Sequence, residues 1–193
     1  MEKDEKLAQH WFLLAADGGH ARSQYNVGQS YLRGIRTRLS YFESVKWFRR
    51  AADKGFHCAQ YRLGQAYRKG LGLGVDHQQA ARWYVAAAER GLDRAYYRLG
   101  RAYQDGEGVE KNPVQALKWF ILSASTRSQK LQTAALQRRD EMISGMSIVR
   151  AAEARRLADV WVPPRGPKKQ ASLAGGSSPP AAKGQHCLGK PAN

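Results

Sequence analysis

The sequence predicts an all-α solenoid in which antiparallel helix pairs repeat every 36 residues. Four tryptophans, Trp11, Trp47, Trp83 and Trp119, follow one another at that spacing. Columns of glycine and tyrosine keep the same register without a gap, and they comprise Gly28, Gly64 and Gly100; Gly34, Gly70 and Gly106; and Tyr25, Tyr61 and Tyr97. Self-similarity at a fixed period of 20–50 residues is typical of repeat architectures. We therefore expect stacked copies of one small helical unit.

Each unit is predicted to hold two helices. The first covers about 59–69 in one unit and 95–104 in the next, because small and apolar residues recur there at i, i+4 and i+8. The second covers about 78–90 and 113–125. Asn112 and Pro113 suit the N-cap and the first turn of that helix, and glycines separate the elements.

Two glycines stand inside predicted first helices, where glycine costs about 1 kcal/mol relative to alanine. These residues are Gly64 and Gly100. Lacking a Cβ, each would let the partner helix approach closely, and the tyrosines and tryptophans would fill the surrounding space. We therefore expect the aromatic columns to pack in the core rather than to form a cofactor site.

The repeat is incomplete at both ends. We expect a half unit at 1–19 and full units at about 20–55, 56–91 and 92–127. A helical cap follows at 128–162, and its closing helix, from Ser147 to Trp161, would bury an apolar side; that side comprises Ala152, Leu157, Val160 and Trp161. Residues 163–193 are rich in Pro, Gly, Ser, Ala and Lys and predict a disordered basic tail.

The repeated columns resemble a known family. Ala59, Leu63-Gly64, Tyr67, Gly70-Leu71-Gly72, Ala80, Trp83, Ala87-Ala88 and Gly91 are similar to the Sel-one-like repeat, a branch of the tetratricopeptide superfamily, and the next unit shows the same pattern. The resemblance covers about residues 7–126. It implies a right-handed superhelix whose first helices line a concave surface, a closing helix like that of many bacterial members, and an adaptor that holds protein partners.

The chain is strongly basic, with a formal net charge of +16 and a pI near 10.2. Positions facing away from the buried stripe of the first helices carry much of this charge. The candidate partner-binding residues are Arg22, Asn26, Gln29, Arg33, Arg62, Gln65, Lys69, Arg94, Arg98 and Arg101. We expect them to form a basic concave groove that binds an acidic or extended segment of a partner protein. The alternative is an ordinary solvated face.

Two other functions were weighed. Helical repeats that bind RNA are also basic, but the groove columns mix Arg, Asn, Gln and Asp over few units, so nucleic acid is not the expected partner. Some cysteine-rich relatives have been associated with β-lactam hydrolysis. This sequence lacks the Ser-x-x-Lys, Ser-Asp-Asn and Lys-Thr-Gly motifs of that chemistry. We expect no enzyme activity and assign no catalytic residue.

Further classes of site and location were also considered. The five histidines show no metal-ligand spacing, so we expect neither a metal nor a cofactor. No stretch is long and apolar enough to predict a membrane span. No signal peptide is visible, which makes a cytoplasmic location the default and leaves export open if the true start lies upstream. The oligomeric state is not predicted.

Overall fold

The computed structural model describes residues 11, 13–35, 37–126 and 128–162. All regular secondary structure in these residues is α-helical. Residues 13–17 are helical and precede eight helices: α1 (Ala21–Arg33), α2 (Tyr41–Asp53), α3 (His57–Lys69), α4 (His77–Glu89), α5 (Asp93–Asp105), α6 (Pro113–Ala124), α7 (Gln129–Ser144) and α8 (Ile148–Asp159). The start of the predicted half unit and the predicted tail at 163–193 lie outside the described residues.

The helices pack in chain order. The pairs α1–α2, α3–α4 and α5–α6 are the three repeated units, and α2–α3 and α4–α5 join each unit to the next. Both α7 and α8 pack on α6. The predicted all-α solenoid of helix pairs is confirmed.

The second helix of each unit begins at one repeated cap. The side chains of Ser40, Asp76 and Asn112 stand 36 residues apart and accept hydrogen bonds from the backbone N–H three residues later, at 3.3, 2.9 and 3.0 Å. These bonds satisfy N–H groups that have no partner inside the helix. Although the three residue types differ, each carries a side-chain oxygen, and the cap survives the substitution.

The glycines inside the first helices make the expected close approach, and the ring that fills the space is the aromatic residue that follows each repeated tryptophan. A Cβ added to Gly64 would lie 2.7 Å from the ring of Tyr84, and Phe48 and Phe120 lie equally close to the corresponding glycines, Gly28 and Gly100. These rings are 2% exposed or less. The aromatic residue after each repeated tryptophan therefore forms the contact between the two helices.

The tryptophan column is buried only at the C-terminal end of the array. Trp119 is 4% exposed, whereas Trp47 and Trp83 are half-buried and Trp11 is 62% exposed. Trp161 covers Trp119, and the centroids of the two rings lie 5.0 Å apart. The predicted core packing therefore holds fully only for Trp119 in this column.

The loop of one unit rests on the previous unit through bare backbone. A Cβ at Gly72 would lie 2.4 Å from the carbonyl group of Tyr41, and one at Gly108 would lie 1.9 Å from the carbonyl oxygen of His77. Both glycines have positive φ, 75° and 73°. Any side chain here would collide with main-chain atoms, so both positions require glycine for the units to stack as they do.

The closing helix uses a different face from the one predicted. In α8 the buried residues are Ala151, Ala154 and Ala158. Ala152 and Val160, which were expected to face inward, are exposed, while Leu157 and Trp161 are half-buried. Small alanines let α8 lie close to Leu117 of α6, which is fully buried.

Candidate partner-binding face

The ten candidate residues lie on the three first helices, α1, α3 and α5, and we call them together the first-helix face. Arg22, Arg33 and Lys69 are exposed. The other seven are half-buried, namely Asn26, Gln29, Arg62, Gln65, Arg94, Arg98 and Arg101. Seven of the ten are arginine or lysine. The face is therefore basic, but most of its side chains are partly buried rather than fully solvated.

The first two units are joined by hydrogen bonds across this face. With its amide oriented to satisfy both neighbours, Gln29 of α1 accepts from Nε and Nη2 of Arg62 at 3.0 and 3.2 Å. The same amide oxygen accepts from the hydroxyl of Tyr25 at 2.5 Å. Because Arg62 belongs to α3, its guanidinium connects the first helices of two units.

The pattern continues into the third unit. Arg62 also donates to Gln65 at 3.1 Å, and Gln65 donates to the hydroxyl of Tyr61 at 3.2 Å. Arg98 of α5 reaches back to that same hydroxyl. Burial lowers the pKa of Arg98, but the interaction with Tyr61 outweighs it, so the pKa is raised overall. Arg62 and Arg98, 36 residues apart, thus perform the same task in successive units.

Arg101, also on the first-helix face, forms an ion pair within α5. Arg101 donates to Asp105 through Nε and Nη2 at 3.0 and 2.8 Å, and these hydrogen bonds raise the pKa of Arg101. Both side chains are more than one-third exposed, so water weakens the attraction between them. We call the connected groups from Tyr25 to Arg98 the polar ladder; it contains Tyr25, Gln29, Arg62, Gln65, Tyr61 and Arg98.

The polar ladder shows what the candidate arginines do inside the molecule. Arg62 and Arg98 are tied to neutral amides and hydroxyls on the neighbouring unit, so they hold two first helices in register. Sequence patterning had treated these positions as solvated because they face away from the apolar stripe. A long arginine side chain instead lies back along the surface and places its head on the adjacent helix. Whether the face binds a partner stays a prediction.

Two polar residues beside the face were missed. Tyr84 is 2% exposed, and burial raises its pKa to about 12, against the opposing effect of Arg98. The hydroxyl of Tyr84 lies close to the guanidinium of Arg68, and neither its proton nor the buried Nε of Arg68 has a hydrogen-bond acceptor among the described residues. A signal was present in the sequence, since Tyr84 stands where the neighbouring units have Phe48 and Phe120.

Other classes of site find little support in the described ranges. No helix in them is long and apolar enough to cross a membrane. Within the same residues, no three side chains of His, Cys, Asp or Glu come together as a metal-binding group.

The sequence and the geometry agree with one repeat family. The model of the Sel1 repeat matches residues 1–20, 21–56, 59–92 and 93–125, which is more than half of the chain. The chain belongs to the Sel1 repeat family. Proteins of this family are generally protein-interaction scaffolds and are typically non-catalytic.

Solved structures give the same fold. A protective antigen of uropathogenic Escherichia coli strains, displaying an SLR fold, is similar with a TM-score of 0.71 and 32% identity over 90% of this chain. A Sel1 repeat protein from Oxalobacter formigenes is similar with a TM-score of 0.62 and 31% identity over 74% of this chain. The chain spans 37% of the first protein and 66% of the second. No curated protein matches it significantly.

Proposed function

We propose that this Sel1 repeat protein binds an acidic segment of a partner protein on its first-helix face. The observation that carries the proposal is the state of Arg62 and Arg98. Both guanidiniums are half-buried and held by neutral groups, so their positive charge is fixed in place without a carboxylate in those contacts. The partner's carboxylates would supply the negative charge that balances these two guanidiniums.

Fixed arginines suit this task for two physical reasons. A guanidinium and a carboxylate form charge-assisted hydrogen bonds that are stronger than neutral ones. Because the polar ladder already orders the arginine side chains, binding loses less conformational entropy than it would with mobile side chains. The exposed Arg22, Arg33 and Lys69 extend the positive potential outward and would speed the approach of an acidic segment.

The ladder also decides which residues to change. Reversing the charge of Arg62 or Arg98 would break contacts between units, so loss of binding could come from unfolding. Arg33 and Lys69 are exposed and occupy one repeat column. The double substitution Arg33→Glu and Lys69→Glu therefore tests the face. Lys46→Glu with Arg82→Glu is the matched control, since both residues are exposed on second helices and the change in charge is the same.

The readout is affinity capture of native partners with the full chain, followed by cross-linking mass spectrometry to map where each partner sits. We expect the face variant to capture roughly tenfold less partner than the control variant does. With the unmodified chain, we expect cross-links from acidic segments of the partner to α1, α3 and α5. Equal capture by both variants would contradict the proposal. So would a partner released by nuclease, which would favour the RNA-binding alternative.

A further inference from the structure

Two cavities open beside the first-helix face, and they are copies of one site. The first, of about 240 Å³, lies between α1, α2 and α3, and the second, of about 160 Å³, lies between α3, α4 and α5. Each of the ten residues that line the first recurs 36 positions later in the lining of the second. We call them the N-terminal niche and the C-terminal niche. Each needs helices from two adjacent units.

The N-terminal niche has the more apolar lining of the two. Leu32, Val45, Phe48 and Leu71 form one side of it, and the polar residues of the lining are Ser44, Arg62, Gln65 and Lys69. Aliphatic walls around a small cavity favour the burial of an apolar side chain, at roughly 25 cal/mol per Å² of surface removed from water.

The C-terminal niche has the opposite character. Leu32 and Phe48 are replaced by Arg68 and Tyr84, and Arg98 and Arg101 complete a group of three guanidiniums. The Tyr84 hydroxyl, on a side chain that is 98% buried, lies close to the guanidinium of Arg68, which can only donate to it, so the hydroxyl proton has no acceptor among the described residues. The Nε of Arg68 is a second donor without an acceptor there. A buried donor without an acceptor is destabilising, so an incoming acceptor would be favoured here.

The charges in the C-terminal niche leave room for one more anion. Arg68, Arg98 and Arg101 face two carboxylates, those of Asp105 and Glu107. Asp105 is already taken by Arg101 at 2.8 Å. A single carboxylate entering beside Arg68, Arg98 and Tyr84 would balance the three positive charges and accept the unpaired hydrogen bonds.

We propose that one partner segment occupies both niches, placing a large apolar side chain in the N-terminal niche and an Asp or Glu side chain in the C-terminal niche. This inference rests on the proposed function and narrows it to a composite recognition of one apolar and one acidic residue. A peptide fits better than a nucleic acid, because a peptide can bring an aliphatic side chain to Leu32, Val45 and Leu71, and a nucleic acid has none to offer.

The test uses the full chain to select binders from a phage-displayed library of random peptides of about twelve residues, which reach about 40 Å when fully extended. We expect an apolar residue enriched at a fixed distance from an acidic one. In the variant Arg68→Leu, which copies the residue of the N-terminal niche, the acidic preference should disappear. In Leu32→Arg, which copies the C-terminal niche, the apolar preference should disappear. Arg82→Leu, exposed on a second helix, is the control for lost charge.

Tyr84→Phe gives the sharpest measurement. Phe48 and Phe120 occupy the equivalent place against glycine, so the variant should fold. Fluorescence anisotropy with the selected synthetic peptide should show binding weakened roughly tenfold, while the peptide with Leu in place of its acid, which has no acceptor, should bind both proteins equally. Equal affinity of both proteins for the acidic peptide would overturn the inference.

The remaining outcomes separate the two proposals. Enrichment of acids without a paired apolar residue, unchanged by Arg68→Leu, would overturn the niche inference and leave the acidic-segment proposal standing. No acidic enrichment, together with no effect of Arg33→Glu and Lys69→Glu on native capture, would overturn both. If single-stranded RNA binds more tightly than the selected peptide, and still does so in Tyr84→Phe, the proposal that a peptide occupies the niches would also be overturned.

Discussion

Replacing Gly64 with alanine tests the packing between the helices of one unit. Alanine is the better helix former by about 1 kcal/mol, so intrinsic propensity alone predicts a more stable protein. The structure predicts the reverse. The new Cβ would stand 2.7 and 2.8 Å from two ring carbons of Tyr84 and 3.2 Å from the carbonyl oxygen of Ala80.

The size of the effect follows from those distances. Carbon atoms in contact prefer about 3.5 Å or more, so the ring must move by roughly 0.8 Å. Tyr84 is 2% exposed and has little space in which to move. Overpacking of a tight core typically costs about 1–3 kcal/mol, and the gain in propensity offsets about 1 kcal/mol of it. We expect a net loss of about 1 kcal/mol in the free energy of unfolding.

Urea denaturation followed by circular dichroism measures this change. Gly74→Ala is the control, because nothing lies within 4 Å of a Cβ at Gly74. Gly28→Ala and Gly100→Ala should behave like Gly64→Ala, since Phe48 and Phe120 stand at the same distance of 2.7 Å. A Gly64→Ala protein that is about 1 kcal/mol more stable than the parent would refute the reasoning.

Three further predictions concern a cap, a buried hydroxyl and the end of the array. Asp76→Ala should lower the free energy of unfolding by about 1 kcal/mol, because its bond to Gln79 is lost, whereas Asp76→Asn should change it little in the same urea titration. Burial raises the pKa of Tyr84 to about 12, so between about pH 10 and 12 the unfolded chain loses this proton while the folded protein keeps it. Stability should therefore fall as pH rises, by up to about 1.4 kcal/mol per pH unit from this group, and urea midpoints should fall less steeply in Tyr84→Phe. Trp161→Ala should lower stability by about 2 kcal/mol and change the fluorescence of Trp119, which it contacts at 5.0 Å; unchanged emission would argue against that contact.

Much of the fold was accessible from sequence because repetition multiplies a weak signal. One unit alone would have suggested two helices, and the recurrence of glycines and caps showed where each begins and ends. The sequence predicted that tyrosines and tryptophans surround these glycines, but it did not decide which ring of each tryptophan-containing pair makes the contact. The ring against glycine belongs to the next position, Phe48, Tyr84 or Phe120, and helical periodicity does not separate adjacent residues well enough to distinguish them.

The candidate site was predicted less completely. The basic character of the first helices follows from counting residues, but the contacts of Arg62 and Arg98 depend on how far apart successive units stand. The niches depend on that spacing as well, since each is walled by helices from two units. Tyr84 could have been noticed as a departure from its column, yet only packing shows that its hydroxyl is buried beside Arg68 with no acceptor for its proton among the described residues.

The bare backbone contacts at Gly72 and Gly108 make the spacing between units a property of the main chain. Equivalent positions of the two niches can then hold different side chains, such as Leu32 and Arg68 or Phe48 and Tyr84, without altering the distance from one niche to the next. The main chain fixes the spacing of the niches, and the side chains that line them are free to vary. A protein built this way can acquire a new binding preference through one substitution at a time, because the geometry that a partner must match is already fixed.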